Sequence, residues 1–182
     1  MASRTISSLA TTLILYAVIV STASAAPVAG SVVQDPNAST GVRFQPGPPP
    51  PGALAWATYD ESALNETGWA VLDLHANSSL ANDTLAGYAS GYLEGALTWR
   101  LMQDYSSNTG ATSKNSKALQ KFLDDNWSWM VEQVAGYAES DPYWSHVGSL
   151  LAQVVGLADG QLAAGGVLPF EDVYNAISEA RW

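Results

Sequence analysis

Few side chains in this 182-residue chain can do acid–base or nucleophilic work, and their spacing narrows the chemistry further. The two histidines are His75, with Asp73 two residues before it, and His146, with Gln153 two helical turns further on. A histidine metal site asks for an i, i+4 partner or a carboxylate at ligand spacing, and neither histidine has one. Each reads as a structural histidine ahead of a catalytic base, and no metal or other cofactor is implied. Glu94 stands apart because it lies between Leu93 and Gly95 in a glycine-rich run, where close packing desolvates a carboxyl and raises its pKa. Such a group suits an acid, a base or the hub of a polar network; pairing with Arg100 or with backbone donors is the alternative. Serines and threonines are numerous, yet there is no Gly-x-Ser-x-Gly elbow, no phosphate-cradling loop and no nucleophile–base pair. Cysteine is absent, so neither thiol attack nor a cysteine-bound metal can arise within these residues.

The element that must hold Glu94 is the run Gly87-Tyr88-Ala89-Ser90-Gly91-Tyr92-Leu93-Glu94-Gly95, with glycines at four-residue intervals along one helical stripe. A glycine weakens a helix interior by roughly 1 kcal/mol against alanine, so three in register call for a packing reason. Close approach of another backbone to Gly87, Gly91 and Gly95 supplies one. The spacing of Leu85, Tyr88, Tyr92 and Leu93 predicts this helix from Asp83 to about Tyr105. A second is predicted from about Ser116 to Glu139. A third opens at the cap Asp141-Pro142 and stops at Asp159-Gly160, and a short last helix runs from Phe170 to Ala180. Upstream, Leu54–Tyr59 and Trp69–Ala76 read as a β-hairpin, with Leu72 and Leu74 on its buried face. The expected fold is α+β, one hairpin followed by about four helices. A two-stranded hairpin cannot bury both faces alone, so it must lean on the glycine helix or receive further strands.

The N-terminal stretch holds Arg4, an uncharged apolar run from Leu9 to Val20, and Ala23-Ser24-Ala25 in an A-x-A arrangement. Residues 1–25 therefore read as a secretory signal peptide; the apolar run falls short of the roughly 20 residues that an anchoring helix needs. Residues 26–52, ending in Pro46-Gly47-Pro48-Pro49-Pro50-Pro51-Gly52, read as an extended Pro-rich leader outside the core, and 53–182 as the ordered part. Removing the signal leaves 6 basic residues against 17 acidic ones, which disfavours nucleic acid and anionic bilayers as partners. No later stretch is apolar enough for stable membrane insertion. Behind a signal peptide the Asn-x-Ser/Thr sequons at Asn37, Asn65, Asn77, Asn82 and Asn126 become glycosylation candidates and surface markers. Asn126 falls close to the apolar stripe of its helix, so either that helix is rolled toward Trp127 or the site carries no glycan. The aromatics Trp127, Trp129, Tyr137, Tyr143 and Trp144 gather around one turn, as a core cluster or, alternatively, as a sugar- or lipid-facing platform.

Three blocks carry a family resemblance: Asn65-Glu66-Thr67-Gly68-Trp69-Ala70-Val71-Leu72, then Ala89-Ser90-Gly91-Tyr92-Leu93-Glu94-Gly95-Ala96-Leu97-Thr98, then Gln153-Val154-Val155-Gly156-Leu157-Ala158-Asp159-Gly160. In this order they resemble the N-terminal portion of the phospholipase B-like (lamina ancestor) proteins, from about Leu54 onward. The resemblance implies a secreted or lysosomal glycoprotein of the N-terminal-nucleophile hydrolase superfamily, an αββα sandwich assembled from two fragments after self-cleavage. It also implies acyl ester or amide substrates of lipids, attacked by a cysteine exposed at the new N-terminus. Because these residues include no cysteine, the matched motifs are scaffold, no catalytic residue is assigned, and the chain alone is expected to be inactive. The competing reading is a non-catalytic secreted glycoprotein that serves as a binding or interaction module.

Overall fold

A computed structural model describes residues 26–109 and 116–179. The segment read as a signal peptide, residues 1–25, lies outside the described residues, as does the end of the last helix at Ala180. Four strands, β1 (Val28–Gln34), β2 (Val42–Pro46), β3 (Ala55–Asp60) and β4 (Val71–Ala76), form one antiparallel sheet in the order β2-β1-β3-β4. Among the described residues five helices accompany it: α1 (Leu64–Thr67) in the β3–β4 connection, then α2 (Asp83–Thr109), α3 (Lys117–Tyr137), α4 (Pro142–Ala163) and α5 (Phe170–Glu179).

The expected hairpin is present as β3 and β4, with Tyr59 opposite Leu72 and Ala57 opposite Leu74. The leader reading is corrected for residues 28–46, which supply the other two strands. β1 lies in the interior of the sheet, paired to β2 on one side and to β3 on the other. Alternation along β1 places Val28, Gly30 and Val32 toward the helices, and Val32 is fully buried. Alanine, glycine and serine dilute that pattern in the sequence, so it resembles a linker until a helix is laid against it. Pro46 ends β2, and the proline run that follows is the turn returning the chain to β3. At the other end of the hairpin Gly41 takes a φ of +72° and its carbonyl accepts the Asp35 amide at 2.8 Å.

The core lies between the sheet and α2: Val32, Val42, Leu54, Ala55 and Ala57 pack on Ala89, Tyr92 and Leu93. Helix α2 is then covered on its other side by α4, so it is apolar or small nearly all round rather than along one stripe. Ascending contacts of Gly87, Gly91 and Gly95 with Ser149, Gln153 and Leu157 show that α2 and α4 run parallel, with α3 as the return connection. The predicted end of the third helix at Gly160 is too early. Gly160 sits inside α4, which runs on to Ala163, because a bare Cα there lets the Tyr92 carbonyl approach. The Ser116 hydroxyl accepts the Leu119 amide at 3.2 Å to cap α3, and the Asp141 carboxylate accepts the Tyr143 amide at 2.9 Å to cap α4.

Candidate functional site: an apolar cavity beside Glu94

Interlocking of α2 and α4 decides where Glu94 points. A Cβ at Gly91 would fall onto the Gln153 carbonyl oxygen, one at Gly95 onto that of Leu157, and one at Gly156 onto that of Tyr88. The glycines are therefore reciprocal: three on α2 and two, Gly156 and Gly160, on α4. A hydrogen bond of 2.7 Å from the Tyr88 hydroxyl to the Asp159 carboxylate ties the same pair of helices, and burial first, then that carboxylate, pushes the Tyr88 phenol up. With its backbone locked in this way, α2 presents Glu94, Thr98, Leu101, Met102 and Tyr105 along an adjacent stripe.

That stripe forms one wall of a cavity of about 570 Å³. Tyr59 and Leu72 close it from the sheet, Leu64 and Trp69 from the β3–β4 connection, Leu157 from α4, and Leu168, Val173, Ala176 and Ile177 from α5 and the turn before it. The size is within the range of small-molecule sites. Burial raises the Glu94 pKa, and a hydrogen bond with Gln153 acts in the opposite direction. Gln153, on α4, takes the place of the Arg100 considered in the sequence: the Arg100 guanidinium lies 5.1 Å from the centre of the Trp99 ring instead. Thr98 is already committed, its hydroxyl donating to the Glu94 backbone carbonyl at 2.8 Å. Burial raises the Tyr59 phenol as well, with the Glu61 carboxylate a second cause.

The remaining candidates lie elsewhere. His75 is on the opposite face of the sheet, stacked on its register partner Trp56 at 5.6 Å, with Nε2 3.2 Å from Asp73 Oδ1. His146 is exposed on α4, beside a shallow depression shared with Asp83 and Asp141. Among the described residues no three His, Asp or Glu side chains are grouped to hold a metal ion. Asn37, Asn65 and Asn82 are exposed, and the Asn82 carboxamide oxygen accepts the Leu85 amide at 2.8 Å. Asn77 is half-buried, its Nδ2 donating to the Ala53 carbonyl at 3.2 Å. Asn126 turns inward: its Nδ2, the atom a glycan would occupy, donates to the Tyr174 hydroxyl at 3.3 Å.

The aromatic group is divided: part of it packs between helices and part stays exposed. Trp127 stacks edge-on to Phe170 and Tyr174, with ring centres 4.8 and 5.0 Å away, and so docks α5 on α3. Trp129, Tyr143 and Tyr137 stay half or more exposed, with Trp129 edge-on to Trp144 at 5.4 Å. What the sequence reading missed is the cavity itself, whose walls come from segments as far apart as Tyr59 and Ile177. The one visible trace was Glu94, a carboxyl set in an otherwise small and apolar run.

An antiparallel sheet backed by a glycine-locked helix pair, with an apolar cavity carrying one half-buried carboxyl, makes this an α+β scaffold. Comparison with known families is specific: the family described as Phospholipase B matches residues 55–167, and the chain belongs to that family. It is 33% identical over 144 residues to phospholipase B-like protein E of Dictyostelium discoideum, covering 75% of this chain and 26% of that protein. It is also 35% identical over 101 residues to phospholipase B-like protein B of the same organism, and 33% identical over 113 residues to phospholipase B-like 1 of Bos taurus. Those two matches cover 53% and 58% of this chain, and 17% and 20% of the relatives. The chain thus spans about a quarter or less of the length of these relatives.

Proposed function

We propose that these residues form the N-terminal part of an exported or lysosomal lipid acyl hydrolase, with the nucleophile supplied by polypeptide beyond them. The observation that carries this reading is the one-sided sheet. Helix α2 packs across all four strands on one face, while the other keeps Arg43, Thr58, Val71, Asp73 and His75 exposed. A sheet clad by helices on a single face has the layering that half of an αββα sandwich requires, and a second sheet against the open face would complete it. The short span relative to family members, and the absence of cysteine from all 182 residues, support the same division of labour.

In the complete enzyme the thiolate of an N-terminal cysteine would attack the acyl carbonyl carbon, with its own amino group taking the thiol proton. The resulting tetrahedral oxyanion would collapse to a thioester as the alcohol or amine leaves with that proton, and water would then release the fatty acid. The scaffold's share is to hold the sheet rigid and to offer the cavity beside it. Fatty-acid release from palmitoyl-lysophosphatidylcholine tests the reading, comparing the purified 182-residue chain with the protein isolated from its source. No release by the former and release by the latter are expected; turnover by the 182-residue chain would overturn the assignment of the nucleophile. Absence of release from both preparations would favour a non-catalytic secreted glycoprotein.

A further inference from the structure

We infer that the cavity between α2, α5 and the β3–β4 end of the sheet is a seat for one linear acyl chain. The inference rests on the lipid-hydrolase reading above and assigns a place to the substrate's hydrocarbon. Leu72, Leu101 and Val173 wall the cavity, and Trp69 stands at its rim with 77% of its surface in water. A large indole left exposed beside an apolar recess marks a surface that gains by being covered. The chemistry of the walls selects among occupants. Helices α2 and α5 already satisfy their backbone groups internally, those of β3 and β4 are directed along the sheet rather than into the recess, and the Thr98 hydroxyl is engaged. A peptide or a sugar entering here would shed hydration from several polar groups and recover little of it. A hydrocarbon chain loses nothing, and its single polar end has the Glu94 carboxyl and the Tyr59 hydroxyl, buried without a hydrogen-bond partner, to meet.

Binding of palmitate and of palmitoyl-lysophosphatidylcholine to the full chain, each kept below its aggregation threshold, tests the assignment by calorimetry and tryptophan fluorescence. One saturable site per chain is expected for at least one of the two. Binding of the lysophospholipid alone would identify the source of the chain as an intact lipid, and binding of palmitate alone as a released fatty acid. Ala176→Phe fills the cavity, and Ile177→Asp places a charge at its half-exposed edge; each should weaken binding tenfold or more. Leu150→Phe, on the exposed side of α4, should leave it unchanged. The Ile177 variant keeps the test decisive should Ala176→Phe fail to fold. Three results would overturn the assignment: no binding of either ligand, binding by both variants at wild-type strength, or a cavity filled by polypeptide and closed to lipid in protein isolated from its source. Acyl release is measured separately on that material. Release with binding untouched by the variants sinks the cavity seat alone; variant-sensitive binding without release sinks only the hydrolase reading.

Discussion

At the scale of single residues, Gly91, Gly156 and Gly160 have little latitude, because their missing side chains are replaced by backbone carbonyls of the facing helix. Alanine raises helix propensity by roughly 1 kcal/mol, yet a methyl group here must force α2 and α4 apart, and overpacking costs about 1–3 kcal/mol or more. Gly91→Ala and Gly156→Ala should each lower the urea midpoint. Gly136→Ala in α3, where a Cβ would meet nothing within 4 Å, should hold it level or raise it. Glu94 yields a prediction in pH. Its carboxyl binds a proton more tightly folded than unfolded, so its effect on stability grows unfavourable as pH rises from the ordinary value of 4.5 through the raised folded one. Glu94→Gln should therefore be more stable than the wild type near neutrality, with the advantage vanishing below about pH 4. Denaturant titrations of both proteins across that range decide it. The glycine stripe and the perturbed carboxyl were legible in the sequence, since each defies the ordinary preference for its place; Gln153 as the partner of Glu94 was not, being 59 positions away on another helix.

Elements were read well where they carry their own start signals. Caps at Ser116 and Asp141 fixed the beginnings of α3 and α4, and the alternation of β4 fixed which face is buried. β1 and β2 were read as a leader because strand identity there depends on partners more than on composition. Removing residues 26–46 should consequently abolish cooperative unfolding, since it strips the interior strand and exposes Leu93 and Ala57; far-ultraviolet circular dichroism on the truncated chain checks it. The α3–α5 contact combines Trp127 between Phe170 and Tyr174 with hydrogen bonds from Asn126 to Tyr174 and from Asn175 to Gln120. Trp127→Ala should cost roughly 2–3 kcal/mol, somewhat less than a fully buried tryptophan, and increase hydrogen exchange in α5 before the sheet responds.

For the molecule as a whole, the formal charge of −10 and the sequence pI near 4.3 describe a surface that repels itself at neutral pH. Raising sodium chloride from 0.05 to 0.5 M should lift the melting temperature at pH 7, and the lift should fade toward pH 4.3, where carboxylates are partly protonated. Among the described residues no helix is long and apolar enough to cross a membrane.

By itself the sequence determined what local rules control: the helices with their caps, the alternation of the β3–β4 hairpin, the close-packing glycines, the acidic balance and the absence of a thiol. Propensity, periodicity and charge act over a few neighbouring residues, so they can be read along a line. Only the tertiary structure decided that residues 28–46 supply two strands of the sheet, that α4 returns parallel to α2 with its own pair of glycines, and that Tyr59, Glu94 and Ile177 line one open cavity. Those outcomes come from burial between segments distant in the chain, where the free energy of a residue belongs to its partners rather than to its type.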